Sequence, residues 1–220
     1  MKYLAPDTSC LFIISSVIYF KDAPLSYSKT RSKYTPEERE RQTIDTIHSI
    51  KKKLPQAKIV LVEAGLKKEL SGNLLSLVDQ YIYLGDTFPV SYFSHGKNKS
   101  LGEMSSLYYA SKKIERINTH YIFKISGRYF LTENFTITSF SADGFTIKKY
   151  TDQMSTRLYG FNAAEFTFWQ KSLARSFWGL VGGRSVEQVL YKKIKSKITN
   201  ELETIGVGGC VAPDGSSINE

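Results

Sequence analysis

The chain has 220 residues, 41% of them apolar and 13% aromatic, which is enough for one sizeable core and leaves little for a second, so a single domain over 1–220 is expected. Its formal charge of +9 favours an acidic partner: a nucleic acid, an anionic membrane surface or a phosphate-bearing small substrate. Cys10 and Cys210, the only cysteines, lie at opposite ends, which excludes a disulfide-stapled secreted fold and a cysteine-held metal and points to a reducing cytoplasm.

Residues 1–10 are ragged and expected to be loose. The longest apolar run, Leu11 to Phe20, is about ten residues, against roughly 20 for a membrane-crossing helix. It reads as a buried strand, and Lys21, Asp22 and Pro24 stand where a signal peptide would carry its cleavage site. Asp22 to Tyr34 is a polar loop. Thr35-Pro36-Glu37-Glu38 combines a capping hydroxyl, a proline at the first helical position and a carboxylate at the third, which opens a helix striped by Ile44, Ile47, Ile50 and Leu54. Pro55 ends it, and Lys58 to Glu63 reads as a strand buried on both faces, reached by a right-handed crossover.

A short helical stretch over Leu66 to Val78 precedes a strand at Tyr81 to Leu84, and the chain is then irregular as far as Asn98. The spacing of Leu101, Met104, Leu107, Tyr108, Ile114 and Ile117 predicts a helix over about 100–117, leading into a strand at Tyr121 to Ile125 that ends in Ser126-Gly127-Arg128. Short strands follow at 144–150 and 157–162, then an aromatic helix from Ala163 to Trp178, a Gly182-Gly183 turn and a helix from Val186. Residues 214–220 are expected to fray. The alternation predicts an α/β fold with a mostly parallel sheet.

In such a sheet ligands settle beyond the carboxyl ends of the strands, and four places there stand out. Ser26 to Ser32 offers hydroxyls, Ser28 among them, and Arg31; an ordinary solvated loop has the same composition. Glu63 ends an apolar strand, where a carboxylate can hold a ribose hydroxyl or simply be solvated. Lys124-Ile125-Ser126-Gly127-Arg128-Tyr129 places two cations about a glycine, so that backbone N–H groups can approach a diphosphate while Lys124 and Arg128 neutralise it. Ser185 and Gln188 match a capping box, and Glu187 between them is either a first-turn carboxylate favoured by the helix dipole or a general base. Lys99, at the start of the second long helix, adds a phosphate-facing cation or a solvated cap. Phe161, Phe166, Phe168, Trp169, Phe177 and Trp178 have helical spacing and read mostly as core. His48, His95 and His120 are dispersed, and neither a serine-nucleophile elbow nor a phosphate loop occurs.

The loop at 26–32, Gln42-Thr43-Ile44 with Thr46-Ile47 and Ser49-Ile50, Leu61-Val62-Glu63, Lys99 to Glu103, Lys124 to Tyr129 and Gly183 to Leu190 together resemble the small nucleotide-diphospho-sugar transferases of the GT-A type, especially compact ones of large viruses and surface-polysaccharide gene sets. The resemblance implies a three-layer sandwich with its nucleotide site at the carboxyl ends of the strands. It implies a nucleotide-sugar donor, a glycan or glycolipid acceptor, hexosyl or deoxyhexosyl transfer with inversion, and Glu187 as base. It further implies a soluble cytoplasmic enzyme, in the host cytoplasm if viral, with peripheral membrane contact and no stable nucleic acid. The family's Asp-x-Asp metal motif is missing and Ser126-Gly127-Arg128 occupies its place, so a manganese or magnesium ion is an open question and cations could replace it. Two rivals stand beside this reading. One is a basic nucleic-acid binder, although no RNA-binding signature is present. The other is a nucleotidyltransferase, against which the missing acidic pair argues.

Overall fold

Alternation in the first strand decides the layering. In β1 (Cys10–Ser16) Leu11 and Ile13 enter one core cluster while Phe12 and Ile14 enter another on the opposite face, and β2 (Lys58–Glu63) repeats this with Val60 and Val62 against Ile59 and Leu61. Both strands are buried on both sides, the condition that requires helices over each face. The computed structural model describes residues 2–115 and 119–220.

Between these strands runs α1 (Pro36–Lys53), opened by the expected reciprocal cap: the Thr35 hydroxyl accepts from Glu38 N at 3.2 Å and the Glu38 carboxylate accepts from Thr35 N at 2.8 Å. Then follow α2 (Gly72–Ser76), β3 (Gln80–Tyr83), α3 (Val90–Ser94), α4 (Lys99–Ser111), β4 (Tyr121–Ser126), β5 (Tyr129–Leu131), β6 (Phe145–Lys148), β7 (Leu158–Asn162), α5 (Phe166–Val181), α6 (Val186–Ile194), β8 (Ile198–Leu202), β9 (Val207–Cys210) and β10 (Ser217–Asn219).

Among the described residues the main sheet has the order β3-β2-β1-β4-β7-β6-β8. The first four strands pair in parallel; β7 opposes β4, β6 opposes β7 and so aligns with β4, and β8 runs with β6. Only β7 runs against the rest. α4, α5 and α6 cover one face through Met104, Leu107, Trp169, Leu173 and Leu190, and α1 covers the other through Ile47 and Ile50. This is the expected three-layer α/β sandwich with a mostly parallel central sheet. A small sheet, β10-β9-β5, lies beside it.

Several boundaries differ from expectation. β1 stops at Ser16, and only Gly72–Ser76 of the stretch 66–78 is helical, where the Ser71 hydroxyl provides a cap. α4 ends at Ser111, because Lys112 and Lys113 turn the chain; Ile117 lies outside the described residues. At α6 only half of the capping box forms, Ser185 accepting from Gln188 N at 3.3 Å. Near the two ends, Leu4 is buried and its amide reaches Phe140 O, while β10 pairs with β9 and the Glu220 carboxylate accepts from Tyr150, Ser155 and Arg157.

Phe123 of β4 stacks on Phe12 at 4.6 Å between centroids and meets Phe135 and Phe140 edge-on. Phe123→Ala is expected to lower unfolding stability by about 3–5 kcal/mol, read as a reduced urea midpoint, with Phe130→Ala, on an exposed side chain, changing it by less than about 0.5 kcal/mol.

Candidate functional site

β1 and β4 are neighbours with Ser15 opposite Ser126, so their carboxyl ends open side by side. The amino end of α4 and the first turns of α1 close over them, leaving a cavity of about 90 Å³. Ser16, Arg31, Arg39, Lys99, Glu103, Ser126, Gly127 and Arg128 line it. Of the expected site residues the fold therefore gathers Arg31, Lys99, Ser126, Gly127 and Arg128. Ser28, Glu63, Lys124 and Glu187 do not line it.

Lys124 is the chief correction. Its side chain is fully buried, and its three ammonium protons are engaged by Glu103, Ser126 Oγ (2.9 Å) and Thr156 O (2.6 Å). A buried lysine must be paired, and one so paired has no proton left for a ligand. Glu63 is likewise enclosed: it accepts from Ser16 Oγ, Ile18 N (2.9 Å) and Gly65 N (2.6 Å), and burial pushes its pKa up. It braces the turn after β1 and is not placed for a ribose. Ser28 sits in the exposed loop and bonds Thr30.

The turn at 126–128 differs from expectation in the same way. Gly127 N donates to Ser15 O (2.9 Å), Arg128 N to Ser126 O (2.8 Å) and Ser126 N to Arg157 O (3.0 Å), so these amides are committed to the fold. The glycine serves packing: a Cβ there would lie 3.0 Å from Thr43 Oγ1 and 3.3 Å from an Ile14 methyl. What the turn offers the cavity is side chains. Arg128 Nη1 is buried with no hydrogen-bond partner among the described residues.

Arg31 donates to the backbone carbonyls of Ala23, Ser94, His95 and Gly96, which pins the 22–34 loop to the end of α3. Ser94 Oγ, also on the cavity wall, is buried without a partner. Arg39, which the sequence reading missed, lies 4.9 Å above the Phe20 ring; burial and then the Arg128 charge bring its pKa down to about 9. Its register was the available clue, since 39, 43, 46, 47 and 50 form the buried face of α1.

Charge balance follows from these contacts. Glu103 is the carboxylate of the cavity: burial opposes its ionisation, but Lys124, Lys99 and Arg128 outweigh this and hold its pKa below the usual range. It is already the partner of Lys124. Arg39, Lys99 and Arg128 then crowd one space, and Arg128 first, followed by burial, lowers the Lys99 pKa to about 7 despite Glu103 and Glu187. The positive end of α4 adds to this field. Such a site suits an anion. Its one lining carboxylate, Glu103, is held by Lys124, and among the described residues no three or more of His, Cys, Asp and Glu gather to hold a metal ion.

Glu187 stands outside the lining at the first turn of α6 and accepts from Thr156 Oγ1 at 3.3 Å. Its charge is felt by Lys99 and by Tyr27 of the 22–34 loop, whose pKa is raised by desolvation before the opposing fields of Arg128 and Glu187. Thr156 thus joins the two carboxylates indirectly, since its carbonyl holds Lys124 and its hydroxyl holds Glu187.

A bound anion favours protonated Lys99, so affinity for sulfate, whose charge is constant in this range, is expected to fall as pH rises from about 7 towards about 9. Without anion the trend reverses, because the unfolded chain keeps a proton that the folded one has released, and stability increases with pH above about 7. Calorimetric titration and urea melts across that range check both, and Lys99→Met is expected to flatten both profiles.

No family model and no curated protein sequence matches this chain. Among solved structures, the galactosyltransferase LgtC, in complex with donor and acceptor sugar analogues, matches with a TM-score of 0.46 at 7% identity, covering 87% of this chain and 72% of that one. CTP:phosphocholine cytidylyltransferase LicC from Streptococcus pneumoniae matches with a TM-score of 0.49 at 10% identity, covering 91% of this chain and 92% of that one. The chemistry of the cavity rests on this chain's own residues.

Proposed function

We propose that the cavity holds the diphosphate of a nucleotide-sugar donor and that the chain is a cytoplasmic glycosyltransferase, passing the sugar to a glycan or glycolipid hydroxyl in surface or virion glycan synthesis. The observation that carries the reading is the grouping of Arg39, Lys99 and Arg128 about one cavity whose carboxylate already belongs to Lys124. Its enclosed volume of about 90 Å³ is well below the roughly 300–1,000 Å³ of a site that engulfs a whole ligand. The charged diphosphate enters it, and base, ribose and sugar extend beyond it.

Transfer needs a stabilised leaving group and a base for the acceptor proton. The three cations take up the charge that develops on the departing diphosphate, with the partnerless Arg128 Nη1 available for a charge-assisted bond. Glu187, at the start of a late helix and oriented by Thr156, removes the proton as the acceptor oxygen attacks the anomeric carbon from the opposite side, which inverts its configuration. Ser126 and Arg31 complete the diphosphate wall. The step runs without a metal, because the donors of the cavity suit an anion, and the same composition disfavours nucleotidyl transfer, which commonly uses carboxylate-held metal.

Nucleoside-diphosphate sugars screened by thermal shift are expected to stabilise the chain equally with manganese and with a chelator; stabilisation only with manganese contradicts the cationic site. Arg128→Ala is expected to weaken nucleoside-diphosphate binding roughly ten- to hundredfold, and unchanged affinity refutes its role. Glu187→Gln is expected to keep donor affinity while transfer falls by roughly 10²–10⁴; retained turnover removes it as the base.

A further inference from the structure

The carboxyl half of α5 crosses α6 closely because Gly179 carries no side chain: a Cβ there would stand 2.9 Å from both Val189 methyl groups. The groove beside this contact is lined by Arg175, Trp178, Arg184, Lys192 and Lys193, and among the described residues no carboxylate borders it. None of these four cations forms an ion pair among the described residues. Trp178 is 84% exposed and Val181, almost a turn further on, is 62% exposed. The core takes Trp169, Leu173 and Leu180 from the other side of α5, so folding does not account for the indole's position.

The apolar surface continues beyond the groove. Phe177, next to Trp178, meets Phe93 edge-on at 5.4 Å; Phe93 meets Tyr92 at 5.3 Å, and Tyr92 approaches Phe88 at 6.5 Å. Tyr92 and Phe88 are exposed. Asn98, which caps α4 at the cavity, donates to Leu180 O at 3.3 Å, so this face is tied to the same corner of the fold as the cavity.

We propose that this face, with Trp178 at its centre, docks on an anionic lipid surface. The proposal goes beyond the transfer reading and does not depend on it. An indole with lysines and arginines at one level is the composition that settles at a lipid headgroup boundary, and four cations without carboxylates choose a negative surface by charge complementarity. An exposed valine beside the indole fits insertion among acyl chains. It does not fit a nucleic-acid platform, which stacks successive bases on rings along a groove.

The full chain is sedimented with vesicles of phosphatidylcholine alone and of phosphatidylcholine with phosphatidylglycerol, and in parallel titrated with single-stranded DNA. Binding to the anionic vesicles only, with a blue shift of indole emission, is expected; the other tryptophan, Trp169, is already buried. Trp178→Ala and the Lys192→Ala/Lys193→Ala double variant are each expected to weaken vesicle binding at least about tenfold, at about fivefold per cation, with the circular dichroism of the folded chain and nucleoside-diphosphate binding unchanged. Equal binding to neutral vesicles, indifference to both variants, or tighter binding to the DNA overturns the proposal. Loss of nucleotide binding in the parent chain, with vesicle binding intact, counts against the transferase reading alone.

Discussion

A lysine ammonium enclosed in the middle of a sheet sets the electrostatics of this molecule. Glu103, reaching from the second turn of α4, supplies the carboxylate that the buried Lys124 ammonium requires. The pairing joins α4 to β4 and leaves one carboxylate among four cations, Lys124, Arg39, Lys99 and Arg128. Arg39, Lys99 and Arg128 are left facing one another, and the Arg128 charge, followed by burial, lowers the Lys99 pKa. Breaking the pair would release Glu103 to neutralise them, so one contact serves both the packing of the sheet and the sign of the cavity.

The rest of the architecture keeps that cluster together. Parallel pairing of β1 with β4 brings two strand ends to one edge, and the Thr43 hydroxyl, 3.0 Å from the Gly127 carbonyl, holds α1 against the turn that follows β4. Glu63 fixes the exit of β1 through Ile18 N and Gly65 N. Arg31, bonded to four backbone carbonyls, fastens the 22–34 loop to the end of α3. Residues that in isolation look like ligand contacts are here the frame that positions the contacts.

Much of the fold was legible because it depends on local patterning. The Thr35 cap, the stripe of α1, the doubly buried β2 and the strand ending at Ser126 all follow from periodicity and turn chemistry. Arg128 could be named because the carboxyl end of a central strand has a known relation to ligands. The illegible part is long-range. Nothing near Lys124 shows that its partner stands 21 positions earlier, and Arg39 lies in a run, Glu37-Glu38-Arg39-Glu40-Arg41, that reads as a solvated surface until its register with Thr43 and Ile47 is noticed. Strand β9, Val-Gly-Gly-Cys, has almost no local strand preference and exists through its pairing with β5 and β10.

A crystal structure with a nucleoside diphosphate bound tests the central claim most directly. The account predicts phosphate oxygens within hydrogen-bonding distance of Arg128 Nη1 and Lys99 Nζ, beside Arg39, with the Glu103–Lys124 pair intact. A diphosphate bound elsewhere, or one that draws Lys124 away from Glu103 to reach it, contradicts it.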